Sequence, residues 1–120
     1  MKFEKKVDEI LNESKTTTFE LDTKVNYKGR GLDQYISSEL DLISSNVSSL
    51  LGYGCKVSIK GDAITCEFSN SAIEKLIEEG YTTRKIGSNF RQAVVEIMNN
   101  KYGRVRKYWP FVFDKKIKIK

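Results

Sequence analysis

Cys55-Lys56-Val57-Ser58-Ile59-Lys60-Gly61-Asp62-Ala63-Ile64-Thr65-Cys66-Glu67-Phe68-Ser69 is the stretch that decides the fold. Gly61-Asp62 separates two short runs of β-forming residues, the spacing of a two-residue hairpin turn. Pairing Lys60 with Ala63 sets Ile59 opposite Ile64, Val57 opposite Cys66 and Cys55 opposite Phe68. All six then share one apolar face. The other face pairs Ser58 with Thr65 and Lys56 with Glu67, the second pair carrying opposite charges. A slip of one residue would turn the apolar set to solvent, so the alternation specifies the register.

The same register governs the two cysteines. As diagonal neighbours, Cys55 and Cys66 would stand roughly 7–8 Å apart at their α-carbons, beyond easy disulfide reach. Buried free thiols are the expectation, with a redox pair as the sharper alternative.

Upstream, Phe19, Leu21, Thr23, Val25 and Tyr27 alternate with polar residues over Thr17 to Lys28, predicting a half-buried strand, with a strand that twists or breaks near Asp22-Thr23 as the alternative. Gly29-Arg30-Gly31 would end it. From Leu32 to Leu51 a helical period returns through Leu32, Tyr35, Ile36, Leu40, Ile43, Val47, Leu50 and Leu51. The polar face of that helix is rich in serine, so packing rather than propensity must hold it. Gly52-Tyr53-Gly54 supplies a stop. Phe3, Val7, Ile10 and Leu11 predict a first helix at the N-terminus.

Downstream, Ser71-Ala72-Ile73-Glu74 has the spacing of a capping box, opening a short helix that Gly80 closes. A second helix carries Ile86, Phe90, Ala93, Val94, Ile97 and Met98 on one side and starts at Thr83 or Ser88. The tail from Arg104 to Lys120 reads as extended. Pro110 suits an edge strand or a bend, and Asp114-Lys115-Lys116 reads as a turn that would fold the tail into a hairpin. The order predicts an α+β fold: a small antiparallel or mixed sheet, including hairpin 55–69, covered by about four helices. No linker or repeat divides residues 1–120, so a single domain is expected.

Composition narrows the function classes. The chain has 120 residues, 39% hydrophobic and 31% charged, which suits a globular core and not disorder. There is no histidine, which removes the commonest general base and the commonest neutral metal ligand. Two cysteines cannot complete a four-thiolate zinc site. The charged start Met1-Lys2-Phe3-Glu4-Lys5-Lys6 argues against a secretory leader, and no run of about 18 apolar residues suggests a membrane span. A cytoplasmic or virion-interior location is the expectation, with no membrane partner and no cofactor. The excess of Lys over Arg and the abundance of Ile and Asn suggest a low-GC genome, such as a bacterium or its phage.

Charge is unevenly distributed. Residues 1–80 hold 10 basic and 14 acidic side chains, whereas residues 81–120 hold 11 basic and 2 acidic ones. A strongly basic C-terminal third can attract polyphosphate and release its counterions on binding. Arg84, Lys85, Arg91, Arg104, Arg106 and Lys107 are the candidate phosphate contacts. Tyr102, Tyr108 and Trp109 lie among them as candidate stacking platforms for bases. The bland reading has the lysines shielding an edge strand, or attracted by the acidic part of the chain, and the aromatics in the core.

Residues Ile73 to Met98 also have the outline of a helix-turn-helix, with Thr83, Arg84 and Lys85 near the start of a recognition helix. Glu79 and Asn89 stand where apolar residues are usual. Asp33, Glu39 and Asp41, or Glu78 and Glu79, fit solvated helix faces at least as well as acid chemistry. Lys, Arg and Tyr can cleave RNA without histidine, but no particular trio is marked. Gly29-Arg30-Gly31 and Gly52-Tyr53-Gly54 lack the Lys-Ser or Lys-Thr step of a phosphate loop.

The sequence therefore points to a non-enzymatic binding protein contacting DNA or RNA through its basic C-terminal surface. The alternative is a protein-interaction module, such as a phage-encoded inhibitor of a host protein or a virion or assembly component, acting as a monomer or a homo-oligomer.

Overall fold

A computed structural model describes residues 15–25 and 31–120. The N-terminal helix expected from Phe3 to Leu11 and the end of the first strand at Tyr27 to Gly29 lie outside the described residues. The fold is α+β: β1 (Thr16–Val25), α1 (Asp33–Ile36), α2 (Leu40–Leu51), β2 (Lys56–Lys60), β3 (Ala63–Ser69), α3 (Asn70–Glu78), α4 (Thr83–Tyr102) and β4 (Phe111–Ile119). Among the described residues the strands form one antiparallel sheet in the order β2-β3-β1-β4.

The hairpin takes the register that its alternation dictates. Lys56 faces Glu67, Val57 faces Cys66, Ser58 faces Thr65, Ile59 faces Ile64, and Lys60 faces Ala63. Gly61 adopts a φ of 62°, which a glycine enters without the steric cost a side chain would bring. On the polar face the Ser58 and Thr65 hydroxyls bond at 2.8 Å. The ladder ends at Lys56–Glu67, which leaves Cys55 just outside the strand.

β1 lies between β3 and β4. It sets Phe19 opposite Cys66 and Leu21 opposite Ile64 on one side, and Phe19 opposite Ile119 and Leu21 opposite Ile117 on the other. Ile119 is 40% exposed, while Phe19, Leu21, Ile64, Cys66 and Ile117, with Phe68 edge-on to Phe19 at 5.9 Å, form the apolar face of the sheet. α4 covers it with the stripe Ile86, Phe90, Ala93, Val94, Ile97 and Met98, and α2 adds Ile43, Val47 and Leu51. Leu50, expected on the same stripe as Leu51, is instead 55% exposed.

Four details differ from the sequence reading, each for a tertiary reason. The helix expected over Leu32 to Leu51 is interrupted by a 3-10 turn at Ser37–Glu39. The Tyr35 carbonyl, which a continuous helix would offer to the Glu39 N–H, accepts the Tyr102 hydroxyl at 2.8 Å and the Lys101 ammonium at 2.9 Å. These side-chain donors compete with the helical hydrogen bond and stabilise the break.

The capping box at Ser71 is not used as a start. Ser69 caps α3, its hydroxyl accepting from the Ala72 N–H at 3.2 Å, so β3 runs straight into the helix. Asn70 is tied back toward β1, its amide oxygen accepting from the Thr17 hydroxyl at 2.9 Å and its N–H bonding to the Lys15 carbonyl. Gly80 then ends α3 in a Schellman turn, with Tyr81 N–H on the Leu76 carbonyl and Gly80 N–H on that of Ile77.

The tail does not turn back as a hairpin. β4 is one strand, and Asp114-Lys115-Lys116 form an irregularity within it. Leu21 pairs with Ile117 but Thr23 pairs with Phe113, so three residues of β4 oppose Asp22 alone. Arg91 of α4 donates from Nε to the Asp114 carbonyl at 3.1 Å, pinning the bulge to the helix.

The fourth difference concerns the helix-turn-helix outline. α3 packs chiefly on β3 and β1, and α4 chiefly on α2 and then on β4, so neither helix takes the other as its main partner. α4 starts at Thr83, where the Thr82 hydroxyl accepts from Lys85 N–H at 3.1 Å.

Candidate nucleic-acid interface

Arg84, Gly87, Ser88 and Arg91 recur at i, i+3, i+4 and i+7 and so share one face of α4. That face borders a cleft of about 630 Å³ between the N-terminal half of the helix and the last residues of β4. Lys116, Ile117 and Ile119 form the strand side, and Thr83 lies at the helix start. Among the described residues, three cations and two hydroxyls line this space and no carboxylate side chain does. Among the described residues no ion pair joins Arg84, Arg91 or Lys116 to an acid. The positive end of the α4 dipole adds to the same field.

The cleft exists because Gly87 brings helix and strand close. A Cβ on Gly87 would meet Ile117 at 3.2 Å and Phe19 at 3.4 Å. The Arg91–Asp114 bond then orients one guanidinium along the cleft and fixes the bulge that carries Lys116.

The remaining basic candidates gather elsewhere. α4 has 20 residues, a length of about 30 Å, so Arg104, Arg106, Lys107 and Tyr108 lie near the opposite end from Arg84. They surround a 3-10 turn at Arg106–Tyr108 and are exposed. Tyr108 is 68% exposed, with the Lys107 ammonium 5.2 Å from its ring centre. Lys85 is exposed near the helix start but does not line the cleft.

Two of the aromatic candidates are structural. Trp109 is buried, its indole N–H donates to the Gly103 carbonyl at 2.7 Å, and its ring stands edge-on to Phe113. The Arg106 guanidinium lies 5.3 Å from its ring centre. Tyr102 is half-buried, bonded to the Tyr35 carbonyl and edge-on to Phe111. Neither ring is presented to a base, which leaves Tyr108 as the exposed stacking surface of the set.

Part of the basic charge is also neutralised internally. Lys118 pairs with Asp22 at 2.7 Å, Lys120 with the largely buried Glu20 at 2.8 Å, and Lys101 with Glu39 at 3.4 Å. The Lys118 ammonium is held above its usual pKa, first by its hydrogen bond to Asp22 and then by the field of that carboxylate. The tail lysines at 118 and 120 therefore join β4 to β1. Lys116, the last residue of the bulge, was not singled out as a contact by sequence. Only the apposition of β4 and α4 places it beside the two arginines. Ser88 was within reach of sequence reading, as the i+4 neighbour of Arg84.

No helix among the described residues is long and apolar enough to cross a membrane, and none of their His, Cys, Asp or Glu side chains cluster in threes that could hold a metal ion. Comparison with protein-family profiles, curated proteins and solved structures finds no match for this chain.

Proposed function

We propose that this chain is a non-enzymatic nucleic-acid-binding protein that holds phosphates in the α4–β4 cleft. The observation that carries the reading is the convergence of Arg84, Arg91 and Lys116 on one space, which no carboxylate of the described residues lines. Arginine forks suit phosphate oxygens, and the hydroxyls of Thr83 and Ser88 add neutral donors. Arg104, Arg106 and Lys107 form a second contact beyond the C-terminal end of α4, with Tyr108 available to stack on an unpaired base. Affinity would come mainly from counterion release and would carry little base specificity.

Fluorescence anisotropy with labelled single-stranded DNA, duplex DNA and RNA across a salt series tests this. Binding should weaken steeply with salt, and replacing Arg84, Arg91 and Lys116 together by Ala should flatten the log–log slope by about two units. A triple variant with the parent's affinity and slope would remove the cleft from the interface.

A second reading, docking on a protein or on another copy, rests on the nine-residue β4 standing at the edge of the sheet among the described residues, with Val112 56% and Ile119 40% exposed. Strand addition would use that edge. The bulge and the lysines on it are the devices that oppose such pairing, so this reading ranks second. Light scattering after size-exclusion chromatography distinguishes the two: a stable dimer lost on Val112→Lys would favour it.

A further inference from the structure

The cleft between α4 and β4 has two unlike ends. At one, the half-buried Arg91 side chain crosses from helix to strand and donates from Nε to the Asp114 carbonyl at 3.1 Å. That bridge stands across the end of the cleft, and Lys116 follows two residues along β4. Farther along, Ile117 lies against Gly87. These two contacts fix the direction of the strand: as β4 runs from Asp114 to Ile119, its partners on α4 run from Arg91 back toward Thr83. The other end is therefore lined by Thr83, Arg84 and Ile119, of which Arg84 and Ile119 are exposed.

Charge and apolar surface are arranged along the same axis. Arg91 and Lys116 put two cations at the bridged end. The Arg91 Nε is committed to Asp114, and the two terminal amino groups of its guanidinium remain as donors. Arg84 stands seven residues from Arg91, about 10 Å along the helix axis. Ile117 and Ile119 supply an apolar strip on the strand side. The volume of about 630 Å³ falls within the range of roughly 300–1,000 Å³ that holds small molecules. An unpaired nucleotide can lay its base on such a strip, whereas a duplex keeps its bases stacked inside.

We propose that the cleft holds the phosphorylated end of a single strand, a narrowing of the nucleic-acid reading, on which it rests. The terminal phosphate monoester sits at Arg91 and Lys116, the first base lies over Ile117 and Ile119, and the next phosphodiester meets Arg84. The Arg91–Asp114 bridge selects an end, because the interior of a strand would have to pass through it and a terminus stops against it. Charge selects the same group. A monoester carries about 1.5–2 negative charges at pH 7 and three strong acceptor oxygens, against a single charge on an internal diester. Either terminus of a strand can carry this group.

The test is competition by unlabelled oligothymidylates against a labelled strand bound to the full chain, read by anisotropy. The competitors are 5′-phosphorylated, 3′-phosphorylated, hydroxyl-ended, and hydroxyl-ended but two nucleotides longer, which matches the added charge. At least one phosphorylated form should compete about tenfold better than both hydroxyl-ended strands, the scale of one charge-assisted hydrogen bond, and the form that does so identifies the terminus. Arg91→Gln and Lys116→Gln should each remove most of that preference. The preference is a ratio within one protein sample, so a general loss of affinity does not imitate it, and Lys116 is exposed, which spares the packing of α4 on β4. Equal competition by all the strands overturns the end site and leaves phosphate binding by the cleft standing. A preference that survives both substitutions places end recognition elsewhere and also overturns it. If no strand binds, the underlying nucleic-acid reading falls as well.

Discussion

Gly87 of α4 lies directly against Ile117 of β4, so close that a methyl group on its α-carbon would meet Cγ2 of Ile117 at 3.2 Å. Its backbone is ordinary helix, so the glycine serves proximity and not unusual dihedrals. That contact sets the separation of helix and strand and with it the spacing of Arg84 and Arg91 from Lys116.

Gly87→Ala should change stability by less than about 1 kcal/mol, because a helix-propensity gain of about 1 kcal/mol is offset by crowding at Ile117 and Phe19. Gly87→Val adds volume without that gain and should cost about 1–3 kcal/mol. Urea unfolding followed by circular dichroism measures both. Equal midpoints for Gly87→Val and the parent would show that α4 and β4 are not in tight contact.

Trp109 and Tyr108 are adjacent in sequence and opposite in role. Trp109→Phe should cost about 1 kcal/mol, the net value of the lost bond to the Gly103 carbonyl, and leave nucleic-acid affinity unchanged. Tyr108→Ala should leave stability within about 0.5 kcal/mol and weaken single-strand binding by about 1–3 kcal/mol. Chemical denaturation and anisotropy on the same samples provide both numbers. Loss of binding in Trp109→Phe at full stability would contradict the buried placement of the indole.

The cap of α3 provides a local check on the strand-to-helix junction. Ser69→Ala removes the acceptor for the Ala72 N–H and should destabilise by about 1 kcal/mol, whereas Ser71→Ala should be nearly neutral. Thermal unfolding of the two variants ranks them, and the reverse ranking would restore the capping box at Ser71 as the true helix start.

Stability should vary with pH through the thiol pair. The native Cys55 gives up its proton near pH 6 and the unfolded thiol only near about 8.5. Between those values the unfolded state binds more protons, so stability rises with pH and falls away as pH drops through about 6. Cys66 acts oppositely above about pH 8.5, where the unfolded thiol ionises and the native one does not. A maximum near pH 8–9 follows as an order-of-magnitude placement. The chain has no histidine, which leaves the thiols as the side chains that titrate in this window. Cys55→Ser should flatten the rise in a pH series of urea midpoints; an unchanged rise would assign it to other groups.

Much of the local structure was legible in the residues. The hairpin register followed from a two-residue turn and a strict alternation, because any slip would bury Lys56 and Glu67 and expose Ile64 and Cys66. The buried stripe of α4, from Ile86 to Met98, followed from helical spacing alone. The alternative of a first strand broken near Asp22-Thr23 is not what the fold shows: β1 runs unbroken from Thr16 to Val25, and the β1–β4 register shift there comes from the extra residues of β4.

The sequence by itself determined the elements, their apolar faces and the basic character of the last third, since these depend on neighbours one to four positions apart. Only the tertiary structure decided the strand order, the bulge at Asp114-Lys115-Lys116 and the interruption after Tyr35. It also divided the candidate site, burying Trp109, committing Tyr102 and bringing Lys116 beside Arg84 and Arg91. The reason is separation along the chain: Arg91 reaches a carbonyl 23 residues away, and Tyr102 one that is 67 residues away. Local periodicity carries no information about which distant carbonyl such a donor will meet. Packing of α4 across the sheet supplies it.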